Sequence, residues 1–274
     1  MNGADSLSKS ALRDAIREAG LKDQALCVHA SYRSFGRVEG GPAAVVEALL
    51  EFGNTVMVPA FTTALRVPPP TGVRLPERNG FDYSRREYDE HDSVYDPDAP
   101  DIDLASMGAV PAAVLRMPGR KRGGHPTNSF AAIGPLADDL LAGQTPADLW
   151  APMAALVRLG GMAVLMGVGY DRLSLLHLAE LQAGRRPFIR WVNDGAGGKR
   201  EVSAGSCSLG FGRFEEALRL QVRRLQVGSS RWTLCPARAT FAAAADALRA
   251  DPHLTHCGDP ACQRCHDMDL GGPI

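Results

Sequence analysis

Two kinds of hydrophobic pattern alternate along the chain. Almost continuous apolar runs at Ala25 to His29 (ALCVH), Thr55 to Pro59 (TVMVP) and Ala163 to Gly167 (AVLMG) predict buried strands. Between them, apolar residues recur every three or four positions, which predicts helices. The predicted helices cover 5–19 (capped by Asp5 or Ser6), 42–52, a stretch from about Met107, 135–143, 152–158, 174–183, 211–225 and 239–249. A hairpin is predicted for 188–192 and 199–202.

This alternation predicts an α/β fold, which we expect to be layered α/β/α. The 274 residues are 45% hydrophobic, enough for a single large domain over 1–274 with a central mixed sheet. We expect a small Cys/His-containing region at about 250–274 to complete it.

Residues 64–105 interrupt the rhythm with proline and charge, and predict an acid-rich insertion. Ten acids stand against three arginines (Arg78, Arg85 and Arg86) between positions 77 and 103. The acids are Glu77, Asp82, Glu87, Asp89, Glu90, Asp92, Asp96, Asp98, Asp101 and Asp103. Such a segment either attracts a cationic ligand or is a solvated surface loop.

The overall charge excludes several partners. A net charge of −1 gives no reason to expect nucleic acid or an anionic membrane surface as a partner. The first twenty residues have the pattern of a polar amphipathic helix and not of a signal peptide, so we expect a cytoplasmic protein, monomeric or homodimeric. The six cysteines are then free thiols or metal ligands rather than disulfides.

Three internal stretches carry candidate chemistry. HASYRSFG, residues 29–36, leaves a predicted strand and enters a helix, where backbone N–H groups suit a phosphate, although glycine-serine loops are common. The cations Arg120, Lys121 and Arg122 suit either an anionic cofactor or solvent. His125, held extended by Pro126, suits a structural hydrogen bond as well as catalysis.

The third stretch is GVGYDRLSLLHLAE, residues 167–180. Ser174, His177 and Glu180 are spaced three residues apart on a predicted helix, and Asp171 precedes them in the loop. A histidine with a carboxylate partner is the minimum for a general base near neutral pH. The alternative is a core histidine beside a capped helix.

The last stretch is the tail, where Cys262 and Cys265 have the C-x2-C spacing of a zinc half-site. His253, His256, Cys257 and His266 are nearby candidates for the remaining ligands, and Cys207 is a distant one. Spacing alone leaves the ligand set open, and a thiol-bearing tail without metal is the alternative.

Five segments in order resemble the aminoglycoside 3-N-acetyltransferase family. They are VHASYRSFGRVEGG, TVMVPAFT, YDPDAPDIDLASMGAV, HPTNSFAAIGPLA and GVGYDRLSLLHLAE. The resemblance implies an acetyl-CoA-dependent enzyme whose fold differs from that of GCN5-related acetyltransferases. It implies transfer of acetyl to the 3-amino group of an aminoglycoside, a small polycationic amine, and hence antibiotic resistance.

The resemblance also assigns roles to residues. His177 would be the general base of a direct transfer, with Glu180 or Asp171 orienting it. The cofactor would contact the 29–36 loop and the hydroxyls of the later motifs. The residues of this cofactor set are His29, Ser31, Tyr32, Arg33, Ser34, Phe35, Thr127, Ser129 and Ser174. A tail pattern of some relatives maps a structural Zn²⁺ site to Cys207, His256, Cys262 and Cys265.

The chain departs from the family pattern where Leu173 and Leu175 stand near an expected asparagine and threonine. Pro111 and Ala112 likewise stand where an acid is usual. These departures leave open an acetyltransferase of the same family that acts on another amine. More remote alternatives are a zinc hydrolase and a non-catalytic zinc protein.

Overall fold

A computed structural model describes residues 6–82 and 88–274 of the chain. The α-helices are α1 (Lys9–Glu18), α2 (Gly41–Leu50), α3 (Leu104–Met107), α4 (Ala109–Val114), α5 (Ala137–Leu141), α6 (Ala151–Leu159), α7 (Leu175–Gln182), α8 (Glu215–Leu218), α9 (Ala237–Ala250) and α10 (Gln263–Asp269). The strands are β1 (Ala25–Ala30), β2 (Thr55–Pro59), β3 (Arg66–Val67), β4 (Lys121–Arg122), β5 (Phe130–Ile133), β6 (Met162–Met166), β7 (Phe188–Asn193), β8 (Lys199–Ala204), β9 (Arg223–Val227) and β10 (Ser230–Pro236).

Seven strands of the described chain form the central sheet in the order β4-β5-β2-β1-β6-β10-β9. The three predicted strands are its centre, with β1 parallel to both β2 and β6. The neighbours on both sides, β5 and β10, run antiparallel, so the sheet is mixed as expected. The apolar runs of β1, β2 and β6 are continuous because both faces of a central parallel strand are covered.

Alternate residues of the central strands serve two separate cores. Leu26 and Val28 face a core with helices α1, α2 and α4, whereas Cys27 faces a core with α5, α6, α7 and α9. Successive side chains of a strand point to opposite faces, so one strand contributes to both cores. The result is the predicted α/β/α layering.

The second sheet, β3-β7-β8, fixes the insertion to the body. Strands β7 and β8 form the predicted hairpin, and β3 from the insertion pairs with β7. Lys199 also forms an ion pair of 2.7 Å with Glu90 of the insertion. Glu87, Arg85 and Arg86, which belong to the charged segment identified in the sequence, lie outside the described residues.

Two local predictions were wrong. The helix expected over 211–225 is a short turn of 3-10 helix followed by α8, and the chain then extends into β9. The first helix is capped by Ser8, whose hydroxyl accepts from the N–H of Ala11, rather than by Ser6; Asp5 lies outside the described residues. No helix in the described ranges is both long and apolar enough to cross a bilayer.

Candidate active site

Two of the sequence motifs emerge side by side at one edge of the central sheet. Strands β1 and β6 are parallel neighbours, with Ala30 opposite Met166 at their carboxyl ends. The next segments along the chain are therefore the 31–36 and 167–174 loops, which approach so closely that a Cβ on Gly167 would lie 2.0 Å from Ser34 Oγ. From this edge the chain goes to α2 on one face of the sheet and to α7 on the other. Ligands of α/β proteins commonly bind at such an edge.

His177 lies on the first turn of α7 and is paired with a carboxylate one turn later. Its Nδ1 is 2.9 Å from Glu180 Oε2, and the two side chains are 10% and 4% exposed. The carboxylate can only accept, so this contact places the imidazole proton on Nδ1. In the part of the chain that the structure describes, Nε2 has no hydrogen-bond partner, which leaves its lone pair available to a substrate proton.

Aromatic rings and a serine fix the orientation of the imidazole. Trp150 stacks on His177 with ring centroids 4.6 Å apart, and Phe211 lies 4.7 Å away on a tilted plane. Ser206 Oγ is 3.0 Å from Nδ1 and donates to the same Glu180 oxygen that accepts from the imidazole. None of these three neighbours was identified in the sequence, because each comes from a segment distant from the motif.

The other two residues predicted in this motif have different surroundings. Asp171, one of two acids expected to orient His177, forms an ion pair of 3.2 Å with Arg172 instead. Glu180 is thus the carboxylate that orients the imidazole. Ser174, assigned to the cofactor, lies just before α7, is 7% exposed, and makes no capping hydrogen bond with its side chain.

The residues of the 29–36 loop divide into exposed and buried members. Arg33 is exposed, and Ser31 and Tyr32 are partly buried, so these three can contact a ligand. Phe35 packs edge-on against Trp232 in the core. Its side chain supports the loop from the core, and its contact with the cofactor stays a prediction.

Hydrogen bonds within the protein also occupy two of the serines assigned to the cofactor. The Ser34 hydroxyl donates to the Ser31 carbonyl at 2.7 Å and contacts Ser230 Oγ. Ser129 donates to the Ala60 carbonyl at 2.7 Å and accepts from Arg122. The hydroxyl proton of Ser129 is therefore used within the protein.

Thr127 and the basic loop have structural partners as well. Thr127 is fully buried and its hydroxyl donates to Asn128. Arg120 and Arg122 donate to backbone carbonyls of residues 97–101, and Lys121 pairs with Asp138 at 3.1 Å. The two arginines thus hold the end of the insertion against the sheet, which is neither of the two functions considered for them.

Two further histidines are buried as neutral rings. Burial lowers the pKa of His29 to about 3, and the positive charge of nearby Arg172 lowers it further. Burial also lowers the pKa of His125 to about 4. His125 uses both ring nitrogens on the backbone, accepting at Nδ1 from the N–H of Asn128 at 3.0 Å and donating from Nε2 to Ser203 O at 2.9 Å.

Four thiols converge between the tail and the end of the β7–β8 hairpin. The sulfurs of Cys207, Cys257, Cys262 and Cys265 all lie within 4.8 Å of one another. Three of them belong to the predicted ligand set, but Cys257 takes the place expected for its neighbour His256. The ring of His256 instead accepts at Nδ1 from the N–H of Gly258. Burial raises the pKa of Cys207 to about 11 and raises that of Cys265 further.

Comparison with known proteins places this site in a family. The sequence profile of the aminoglycoside 3-N-acetyltransferases matches residues 27–249. This chain belongs to the aminoglycoside 3-N-acetyltransferase family. Aminoglycoside N(3)-acetyltransferase IX of Micromonospora chalcea is 33% identical over 187 residues, which are 66% of this chain and 64% of that protein. Aminoglycoside N(3)-acetyltransferase III of a Salmonella species is 33% identical over 196 residues, 68% of this chain and 64% of that protein.

Solved structures of aminoglycoside 3-N-acetyltransferases share the fold. The apoenzyme of aminoglycoside acetyltransferase AAC(3)-IVa is 25% identical and superposes with a TM-score of 0.78 over 99% of this chain and all of that one. A mutant of that enzyme in complex with apramycin is 26% identical, with a TM-score of 0.72 over 93% of this chain and 96% of that one. The curated sequences match over less than two thirds of their own length, whereas the structural match spans nearly both whole chains.

The departures from the aminoglycoside 3-N-acetyltransferase pattern lie in the cores. Leu173 and Leu175 are 1% and 0% exposed and pack in the core beneath α7. Pro111 and Ala112 are buried in α4. All four residues are therefore largely shielded from solvent.

Proposed function

We propose that this protein transfers the acetyl group of acetyl-CoA to an aminoglycoside, at the 3-amino group, with His177 as general base. The observation that carries the proposal is the His177–Glu180 pair, which ties Nδ1 and leaves Nε2 open at the edge of the sheet. Membership in the family supports the activity, and the names of the relatives support the position on the sugar.

The reaction needs one proton transfer that this pair can supply. When bound, acetyl-CoA offers an activated thioester carbonyl to an attacking amine. The amine attacks in its neutral form, and Nε2 of His177 accepts the proton that its nitrogen loses as the new C–N bond forms. The C–S bond breaks, and coenzyme A leaves as a thiolate that takes up the proton from the imidazolium. Glu180 stabilises the resulting imidazolium across the Nδ1 contact.

Direct transfer to the amine fits the hydroxyl nearest the base. Ser206 is the obvious candidate for a covalent acetyl-serine, since its Oγ is 3.0 Å from His177. Its proton, however, is directed at Glu180, and its contact is with Nδ1, the nitrogen that already carries a proton. A base must accept through a nitrogen lone pair, so Ser206 is placed to orient the carboxylate rather than to attack.

The acid-rich insertion supplies carboxylates for a polycation. Asp96, Asp101 and Asp103 line a cavity of about 300 Å³ together with Tyr95. Asp103 is partly used, because its carboxylate accepts from the Thr63 backbone and hydroxyl. We assign Asp96 and Asp101 to the attraction of substrate ammonium groups.

The four thiols fit a structural Zn²⁺. Tetrahedral zinc with thiolates at roughly 2.3 Å separates the sulfurs by about 3.8 Å, inside the observed spread. We therefore infer that Cys207, Cys257, Cys262 and Cys265 hold the ion. Four sulfur ligands would complete a tetrahedral coordination and would leave such an ion no open position for hydrolytic chemistry.

A thiol-release assay tests the proposed activity. The protein is mixed with acetyl-CoA and either an aminoglycoside or the same compound already acetylated at its 3-amino group. We expect turnover of the first and none of the second. Failure to turn over any aminoglycoside, with turnover of another primary amine, would establish the alternative of a different substrate within the family.

A further inference from the structure

Arg185 contacts Glu180, the partner of His177, on one side and the C-terminal segment on the other. Its Nη1 is 2.8 Å from Glu180 Oε1 and 2.6 Å from Thr255 Oγ1. Its Nη2 donates to the Pro252 carbonyl and lies 3.5 Å from Asp269 Oδ1. The side chain is only 6% exposed, so these contacts are made away from bulk water and are weakly screened.

The two oxygens of Glu180 are divided between two tasks. Oε1 accepts from Arg185, and Oε2 accepts from His177 and Ser206. A carboxylate that is 4% exposed is stable as an anion only when it is paired and hydrogen-bonded. Arg185 therefore pairs with the buried carboxylate and fixes its rotation, and Oε2 in turn keeps the imidazole proton on Nδ1.

The backbone turn after α7 brings the Arg185 side chain into contact with Glu180. Gly184 has a φ of 91°, its N–H donates to Leu181 O, and the next N–H, of Arg185, donates to Glu180 O at 3.1 Å. This pair of bonds is the Schellman motif that commonly ends a helix. The turn reverses the chain, so that a residue beyond the helix contacts a side chain of its last turns.

We propose that Arg185 is a positioning residue that ties the carboxylate orienting His177 to the C-terminal segment 250–274. The proposal rests on the proposed function, because it concerns the base of that reaction. The far side of the guanidinium contacts Thr255, Pro252 and Asp269, which flank the three cysteines of that segment in the sequence. Order in the tail can therefore reach the base through the Arg185 side chain.

The test is a double-mutant cycle of Arg185→Met and Glu180→Gln, with the exposed neighbour Arg186→Met as matched control. Arg185→Met should lower kcat by roughly 10- to 100-fold with little change in the KM for acetyl-CoA. In the Glu180→Gln background the same replacement should cost less than about 3-fold, because the carboxylate through which it acts is gone. Arg185→Lys should recover part of the loss, and Arg186→Met should match wild type.

A spectroscopic readout separates this inference from the proposed activity. In ¹⁵N-histidine-labelled protein, the His177 resonance, assigned by its loss in His177→Gln, should show the Nδ1–H tautomer in wild type and a mixture in Arg185→Met. Thr255→Val removes one hydrogen bond to Arg185 and should shift the tautomer equilibrium of His177 partly toward the mixture. It provides the same test if Arg185→Met does not fold.

The outcomes are distinct. A wild-type protein that turns over no aminoglycoside overturns the proposed function, and the tautomer measurement then decides this inference alone. An unchanged tautomer in the Arg185 or Thr255 variant overturns the positioning role. Equal losses of kcat from Arg185→Met in both backgrounds would do the same, because the effect would then bypass Glu180.

Discussion

Two buried histidines of this protein, His125 and His177, differ in how their ring nitrogens are hydrogen-bonded. His125 has both ring nitrogens hydrogen-bonded to the backbone, with Nδ1 accepting and Nε2 donating, and is 0% exposed. His177, 8% exposed, has one nitrogen tied to a charged carboxylate and the other unpartnered within the described residues. Burial does not separate a structural histidine from a base. The separation lies in whether a lone pair remains and whether the partner can stabilise a positive ring.

Replacement of the rings themselves should give the largest contrast. His177→Gln should lower kcat by roughly 10²- to 10⁴-fold with near-normal thermal stability, because it removes the base and keeps a polar partner for Glu180. His125→Gln should retain most of the activity. Steady-state kinetics and thermal unfolding of both variants measure this. Comparable losses of kcat in the two variants would erase the distinction drawn between the sites.

Metal depletion should act on one region and spare the other. Removal of an ion held by the four cysteines should destabilise the fold, because the free energy of metal binding contributes to folding. Each kcal/mol lost should lower Tm by about 2–4 °C in a chain of this size. Amides near Thr255 should lose protection from hydrogen exchange, while those near His125 keep it. Elemental analysis should first find about one zinc per chain. Chelation that leaves Tm and exchange unchanged would show that the thiols hold no structural ion.

Acid should act chiefly through the neutral histidines. His125 has a folded pKa of about 4 against about 6.5 in the unfolded chain, so the unfolded state binds a proton first as the pH falls. Its contribution to stability is therefore complete above pH 6.5 and is lost between pH 6.5 and 4. From pH 7 to 5 this amounts to about 1–2 kcal/mol. Denaturant unfolding of His125→Gln, whose amide has no such proton, should depend less on pH over that window. An identical pH dependence in both proteins would contradict the assignment.

The centre of the sheet could be predicted from the sequence because buried parallel strands consist of continuous runs of apolar residues. The sequence did not predict β9 and β10. The helical spacing of residues 211–218 continues into a charged stretch, Arg223 and Arg224, that pairs at the sheet's edge. Pairing with β10 overrides that local preference, and no local sequence pattern indicates this pairing.

The candidate site follows the same division. His177 and Glu180 are one helical turn apart, so spacing alone brought them together. Ser206 and Arg185 reach Glu180 only through the tertiary fold and the turn after α7. Likewise, the spacing of the tail allows either His256 or Cys257 as a metal ligand. The fold brings the Cys257 thiol, and not the His256 imidazole, to the cluster.

The smallest predicted effect concerns the turn that links the base to the tail. Gly184 has a φ of 91°, and a Cβ placed there would meet no atom within 4 Å. Gly184→Ala should therefore cost only the strain of a left-handed backbone, about 1 kcal/mol. Because that turn carries Arg185 to Glu180, the same change should lower kcat several-fold. Gly20, also at positive φ (68°) with open space and just after α1, is the matched control. Gly20→Ala should cost similar stability at unchanged kcat. Equal activities of the two variants would mean that the turn does not influence His177, and the comparison of the two histidines would then rest on Glu180 alone.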